Sequence, residues 1–183
     1  TKGMYSEESD SIYIDGVTAH EWSHAATWGN AKNFEEYQKE VAFQSQEEQD
    51  YVEPTKVYYE THVQTYGWQG KLEDQSTWIK NGAMSGTSGI AKRLEGINII
   101  VNSAETGKSV DLGIQYTTHC QSYGWLPWSA NGDMNGTEGE AKRLEAIKIQ
   151  LTGKHANYYD VYYRVHAQSY GWLGWAKNGE PAG

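Results

Sequence analysis

One string of residues recurs three times in this chain, and that recurrence limits the folds open to it. VYYETHVQTYGW spans residues 57–68, IQYTTHCQSYGW spans 114–125 and VYYRVHAQSYGW spans 161–172. Each copy keeps a Tyr, a His, a Gln and the closing Y-G-W. A second block follows the first two copies: NGAMSGTSGIAKRLEGINI from Asn81 and NGDMNGTEGEAKRLEAIKI from Asn131. The third copy runs on only to AKNGEPAG and stops at Gly183. The copies therefore span about 57–101, 114–151 and 161–183, two complete and one short. Small units of this kind cannot bury an apolar face alone and must pack on one another.

The residue pattern within each copy is that of strands. Tyr59, Thr61 and Val63 alternate with Glu60, His62 and Gln64, and a period of two describes a strand buried on one face. The matching inward positions are Tyr116, Thr118 and Cys120, then Tyr163, Val165 and Ala167. Ile147, Ile149 and Leu151 alternate with Lys148 and Gln150 in the same way. Asn-Gly pairs and the G-T-x-G stretches supply turns, since Asn and Gly accept positive φ.

Residues 1–56 differ from the rest. They hold 4 Lys, 12 acidic residues and 3 of the 20 Gly, so most of the net charge of −9 lies there. Pro54 ends the acidic stretch EEQDYVE, which puts a boundary near residue 55. The acidic balance argues against non-specific nucleic-acid binding, which requires phosphate neutralisation. No run of about 20 apolar residues is present to span a membrane. Cys120 is the one cysteine, which excludes an internal disulfide. The opening TKGMYS has neither the basic nor the apolar part of a secretion signal.

The order H-x-Q-x-Y-G-W, W-x-x-N-G and G-T-x-G-x-x-x-R-L-E-x-I-x-I resembles the clostridial hydrophobic repeat with a characteristic Trp, the ChW repeat. The residues that carry the likeness are His62 to Trp68 with Thr87 to Ile99, His119 to Trp125 with Thr137 to Ile149, and His166 to Trp172. The resemblance covers about residues 57–183. It implies an extracellular or cell-surface protein of a Gram-positive anaerobe, with the repeats as adhesion or substrate-binding modules. The short third copy fits a piece cut from a longer protein.

Two readings compete for the tryptophans. Trp68, Trp125 and Trp172 close the Y-G-W strings, Trp128 and Trp175 follow three residues later, and Trp78 holds that place after an insertion near GKLEDQST. Flat apolar rings bind sugar faces or anchor protein partners, and Tyr66, Tyr123 and Tyr170 lie beside them. A Trp fixed in every repeat also reads as repeat core, and that reading is preferred for the Gly-Trp set. The strand histidines are expected to bond the backbone of a neighbouring loop. Arg93 with Glu95, and Arg143 with Glu145, have the spacing of an ion pair on one strand face. Cys120 is expected to be a small core residue.

The first third holds one catalytic-looking string, His20-Glu21-Trp22-Ser23-His24. H-E-x-x-H on a helix puts two His one turn apart to share a Zn²⁺, with the Glu as general base. It resembles the zincin signature over these residues alone, with Glu36, Glu40 or Glu47 as the available third ligand. Thr18 and Glu21 also form a capping box, which gives Glu21 a structural role, and an ordinary helix is the preferred reading.

The expected chain is thus an acidic helical segment over 1–55, with helices near 17–28 and 33–50, followed by an all-β unit over 56–183. Three copies allow a pseudo-threefold trefoil- or prism-like arrangement, provided residues 11–14 (SIYI) supply the strand that the third copy lacks. The expected function is a non-catalytic extracellular binding module, without cofactor, that recognises a host protein (an immunoglobulin is one candidate) or a glycan. The alternative is a zinc metallopeptidase or its remnant, with Glu21 catalytic, His20 and His24 on the metal, and the repeats as targeting modules.

Overall fold

The computed structural model describes residues 11–19, 56–102 and 111–183, the first segment as backbone. The described residues form antiparallel β-structure, with two short 3-10 turns and no α-helix. The strands are β1 (Ser11–Ala19), β2 (Lys56–Val63), β3 (Gly67–Trp68), β4 (Ile79–Lys80), β5 (Ser85–Gly86), β6 (Leu94–Asn102) and β7 (Gly113–Cys120). They continue as β8 (Gly124–Trp125), β9 (Ser129–Ala130), β10 (Asn135–Gly136), β11 (Leu144–Thr152), β12 (Tyr159–Ala167), β13 (Gly171–Trp172) and β14 (Ala176–Lys177).

Each copy is built on one long strand pair. In the first, β2 pairs with β6 from Lys56↔Asn102 to Val63↔Leu94. In the second, β7 pairs with β11 from Gly113↔Thr152 to Cys120↔Leu144. The short strands β3 and β4 add to β2, and β8 and β9 add to β7 in matching registers. β13 and β14 do the same for β12. The partner of β12 is β1, from Ser11↔His166 to Ala19↔Tyr159, with a bulge between Ile14 and Gly16. The segment SIYI thus lies beside the strand whose copy ends early. Residues 17–19, expected to open a helix, are strand instead, because a ladder to β12 satisfies their backbone. The rest of the two expected helices lies outside the described residues.

The copies are also linked to one another. β10 of the second copy pairs with β6 of the first, Asn135↔Ile97 and Gly136↔Gly96. Ala182 of the third bridges to Ile147 of the second. β5 of the first pairs with β1, Ser11↔Gly86 and Ile12↔Ser85. The approach is tight: a Cβ at Gly136 would stand 2.4 Å from the Glu95 carbonyl oxygen, and φ there is +117°. Glycine is required at this place.

The core lies between the strand pairs. All nine inward positions read from the alternation are buried, from Tyr59, Thr61 and Val63 through Tyr163, Val165 and Ala167. Ile97, Ile99, Ile147 and Ile149 complete it from the return strands. Cys120 is a small buried core residue, as expected, and burial raises its thiol pKa. The three fully buried tyrosines, Tyr59, Tyr116 and Tyr163, are not simple fillers. Their hydroxyls donate to the carbonyls of Ala83, Asp133 and Glu180 in the turn of the same copy. The Tyr116 hydroxyl also accepts the backbone N–H of Ile99, 3.0 Å away in the preceding copy.

The Asn-Gly turns adopt the expected geometry, with positive φ at Asn81, Asn131 and Asn178 and at the glycine after each. Their side chains do further work. The Oδ1 atoms of Asn81, Asn131 and Asn178 accept the N–H of Val57, Ile114 and Val161 at 3.0 Å. The turn is thereby pinned to the start of its own long strand.

Candidate functional site: the outward tryptophan faces

With one face of each strand pair in the core, the alternate residues form an outward face. Each carries a His whose ring meets the Trp of Y-G-W edge-on. The centroid separations are 5.4 Å for His62–Trp68, 5.5 Å for His119–Trp125 and 5.3 Å for His166–Trp172. Strand pairing causes this, since His62↔Trp68, His119↔Trp125 and His166↔Trp172 are cross-strand partners.

The histidines do not bond loop backbone, as the sequence reading preferred. In copy two, His119 Nδ1 lies 3.0 Å from Glu145 Oε2, while Arg143 Nε is 3.3 Å from the other carboxylate oxygen. Copy one repeats this chain: His62 Nδ1 lies 3.2 Å from Glu95 Oε2, and Arg93 Nε donates to Glu95 Oε1 at 2.9 Å. The R-L-E pair therefore exists and holds the His as well. The strand register brings Glu to His, and no local motif announces it. With Nδ1 at the carboxylate, the other ring nitrogen of His119 lies near Gly124, 3.9 Å from where a Cβ there would stand.

Within the Gly-Trp set Trp68 is half-buried, with its ring close against Gly96, and the other two stand outside the core. Trp125 is 40% exposed and Trp172 37% exposed, and Trp128 and Trp175 are each 45% exposed. The β8 and β13 strands are two residues long and lie at sheet edges, so their Trp rings lean over the outward face. Trp78 differs. The copy-one insertion folds it down to 6% exposure, and its indole N–H donates to the Lys71 carbonyl at 2.8 Å. Tyr66, Tyr123 and Tyr170 stand exposed at the turn tips. Lys92 and Lys142 lie over Tyr66 and Tyr123, and the Tyr123 hydroxyl donates to Glu140 at 2.6 Å.

Two cations beside the tryptophans went unread in the sequence. Lys148 Nζ sits 4.4 Å from the ring centre of Trp125. The Arg164 guanidinium sits 4.8 Å from Trp172 and 4.7 Å from Trp175. Their sequence signal was their outward parity, but no spacing rule joins a return-strand Lys to a tryptophan two turns earlier.

Copy one has lost this arrangement. Asn98 stands where copy two has Lys148, and Glu60 where copy three has Arg164. The Asn98 amide donates to Glu60 Oε1 at 2.9 Å. Glu60 is fully buried beneath the loop that carries Gly70 and Trp78. Burial raises its pKa, against the opposing effect of the Asn98 bond.

His20, Glu21 and His24, with Glu36, Glu40 and Glu47, lie outside the described residues. Among the described residues no group of three or more His, Cys, Asp or Glu is placed to hold a metal ion, and no helix is long and apolar enough to cross a membrane.

Comparison with curated proteins and with solved structures finds no match. The family described as Clostridial hydrophobic W, ChW, matches residues 62–102 and 119–153. Each matched segment opens at the strand His and runs through the return strand that holds its Glu. Residues 62–102 and 119–153 of this chain are thus two repeats of the ChW family.

Proposed function

We propose that this chain is a non-catalytic extracellular binding module of a bacterial surface protein, and that it holds a host protein or glycan on its outward tryptophan faces. The observation that carries this reading is the exposure of Trp125 and Trp172 on short edge strands and of Trp128 and Trp175 in the connections that follow them. Large rings left in water have a cost that a ligand removes, and Trp is the side chain most often found at binding hot spots. The His–Glu–Arg chain of copy two fits the same role, since it fixes the ring against which Trp125 leans.

We also read the β unit as pseudo-threefold, of trefoil or prism type. In its support, β1 takes toward β12 the place that β6 and β11 take toward β2 and β7, and the three links between copies are equivalent.

The binding test is a pull-down from host glycoproteins and a glycan array with the intact chain, then with Trp125→Ala and Trp172→Ala combined. Loss of at least tenfold in affinity is expected, with the unfolding midpoint little changed because the rings are surface-mounted. Unchanged binding by the double variant would remove the tryptophan faces from the reading.

A further inference from the structure

The outward faces of copies two and three share a composition that their positions do not explain. Copy two places a cation at Trp125 from its return strand, Lys148 on β11. Copy three places one between Trp172 and Trp175 from its first strand, Arg164 on β12. The cation comes from different strands and is a different residue type, yet it ends beside the exposed indoles in both. Copy one has Asn and Glu at these two positions, with its second Trp buried.

We infer that the outward faces of copies two and three take a carboxylate-bearing saccharide, and that copy one does not. This rests on the binding reading above and names its ligand class. Exposed indole offers a flat apolar face to the C–H side of a sugar ring. Polar groups lie beside the Trp125 ring, with Lys148 over it and the His119 imidazole against its edge. A hydroxylated ring finds hydrogen-bond partners there, whereas an apolar protein anchor would desolvate them. The ammonium on the indole supplies the charge that selects an acidic sugar over its neutral form. In copy one Asn98 and Glu60 stand in place of the two cations, and the loop that carries Gly70 and Trp78 covers Glu60.

The test uses an array of uronic-acid oligosaccharides beside their carboxyl-reduced counterparts, followed by titration of the best acidic probe and its neutral match. The acidic probe is expected to bind at least tenfold more tightly, and the difference should shrink as salt rises. Lys148→Gln together with Arg164→Gln should remove the preference by weakening the acidic probe at least tenfold more than the neutral one. Lys148→Arg should keep it, which separates charge from packing. Trp125→Ala with Trp172→Ala should weaken both probes. Equal affinity for acidic and neutral probes would overturn the inference and leave the binding reading intact. So would the absence of any bound acidic saccharide while a protein partner is still captured. Loss of all capture, of saccharide and protein alike, would sink both.

Discussion

Tyr116→Phe removes one oxygen from the middle of the protein and tests how the copies are joined. The ring is fully buried and Phe keeps its shape, so packing is nearly unchanged and no cavity opens. The hydroxyl has two partners. It donates to the Asp133 carbonyl in its own turn and accepts the Ile99 N–H of the preceding copy at 3.0 Å. Ile99 is buried, so its N–H loses its acceptor without gaining water, a cost of about 1–3 kcal/mol. The Asp133 carbonyl is nearer the surface, and loss of that bond costs about 1 kcal/mol. The expected loss is therefore about 2–4 kcal/mol, or on the order of 10 °C in the unfolding midpoint of a chain this size. Urea and thermal unfolding monitored by Trp fluorescence read it, with Tyr123→Phe at the exposed tip as control, expected to change stability by less than about 0.5 kcal/mol. The same sites give a pH dependence. Burial, more than any other influence, pushes Tyr163 up to about 12 and raises Tyr116 further. The unfolded chain ionises these groups near pH 10 while the folded chain keeps them neutral. Their contribution is thus fully present below pH 10 and lost as pH rises through about 12. Tyr116→Phe should soften that alkaline decline. A loss under about 0.5 kcal/mol with an unaltered alkaline limb would refute the view that these hydroxyls staple one copy to the next.

Three further predictions follow from single sites. Glu60→Gln should stabilise the protein at neutral pH by about 1–3 kcal/mol, because the raised carboxyl pKa makes Glu60 favourable below the usual carboxylate range and costly as pH rises through its folded value; chemical unfolding at pH 4 and pH 8 should show the gain at the higher pH, and a destabilised variant at both would refute it. Ile12→Pro removes a ladder donor where β1 lies between β12 and β5 and should destabilise the protein; amide exchange along β12 should accelerate, and unchanged protection there would sink the pairing. Elemental analysis after dialysis against trace zinc, with His24→Ala alongside, decides the H-E-x-x-H string: about one zinc per chain lost in the variant supports the peptidase alternative, and none in either supports an ordinary local role.

The strands and their inward faces were legible before any coordinates, because burial on one side forces a period of two and the three copies repeat it. Asn131-Gly132 and its equivalents announced their turns for a similar reason: positive φ restricts the residue types that fit. The tryptophan assignment failed in part. Periodicity says that Trp125 recurs, but it does not say that β8 is a two-residue edge strand whose ring overhangs the outward face. Glu60 misled in the opposite sense. Its outward parity predicts exposure, and an insertion ten residues on buries it.

By itself the sequence determined that this protein is a β-repeat chain with a shared core pattern, since local alternation, turn chemistry and internal self-similarity are all written along the chain. Tertiary structure decided which residues meet across it. Glu145 reaches His119, Lys148 reaches Trp125, the Tyr116 hydroxyl reaches Ile99, and β1 lies beside β12. These contacts depend on strand register and on which copy packs against which. The relevant energies come from bringing distant backbone and side-chain groups together, and no local window of the sequence contains both partners.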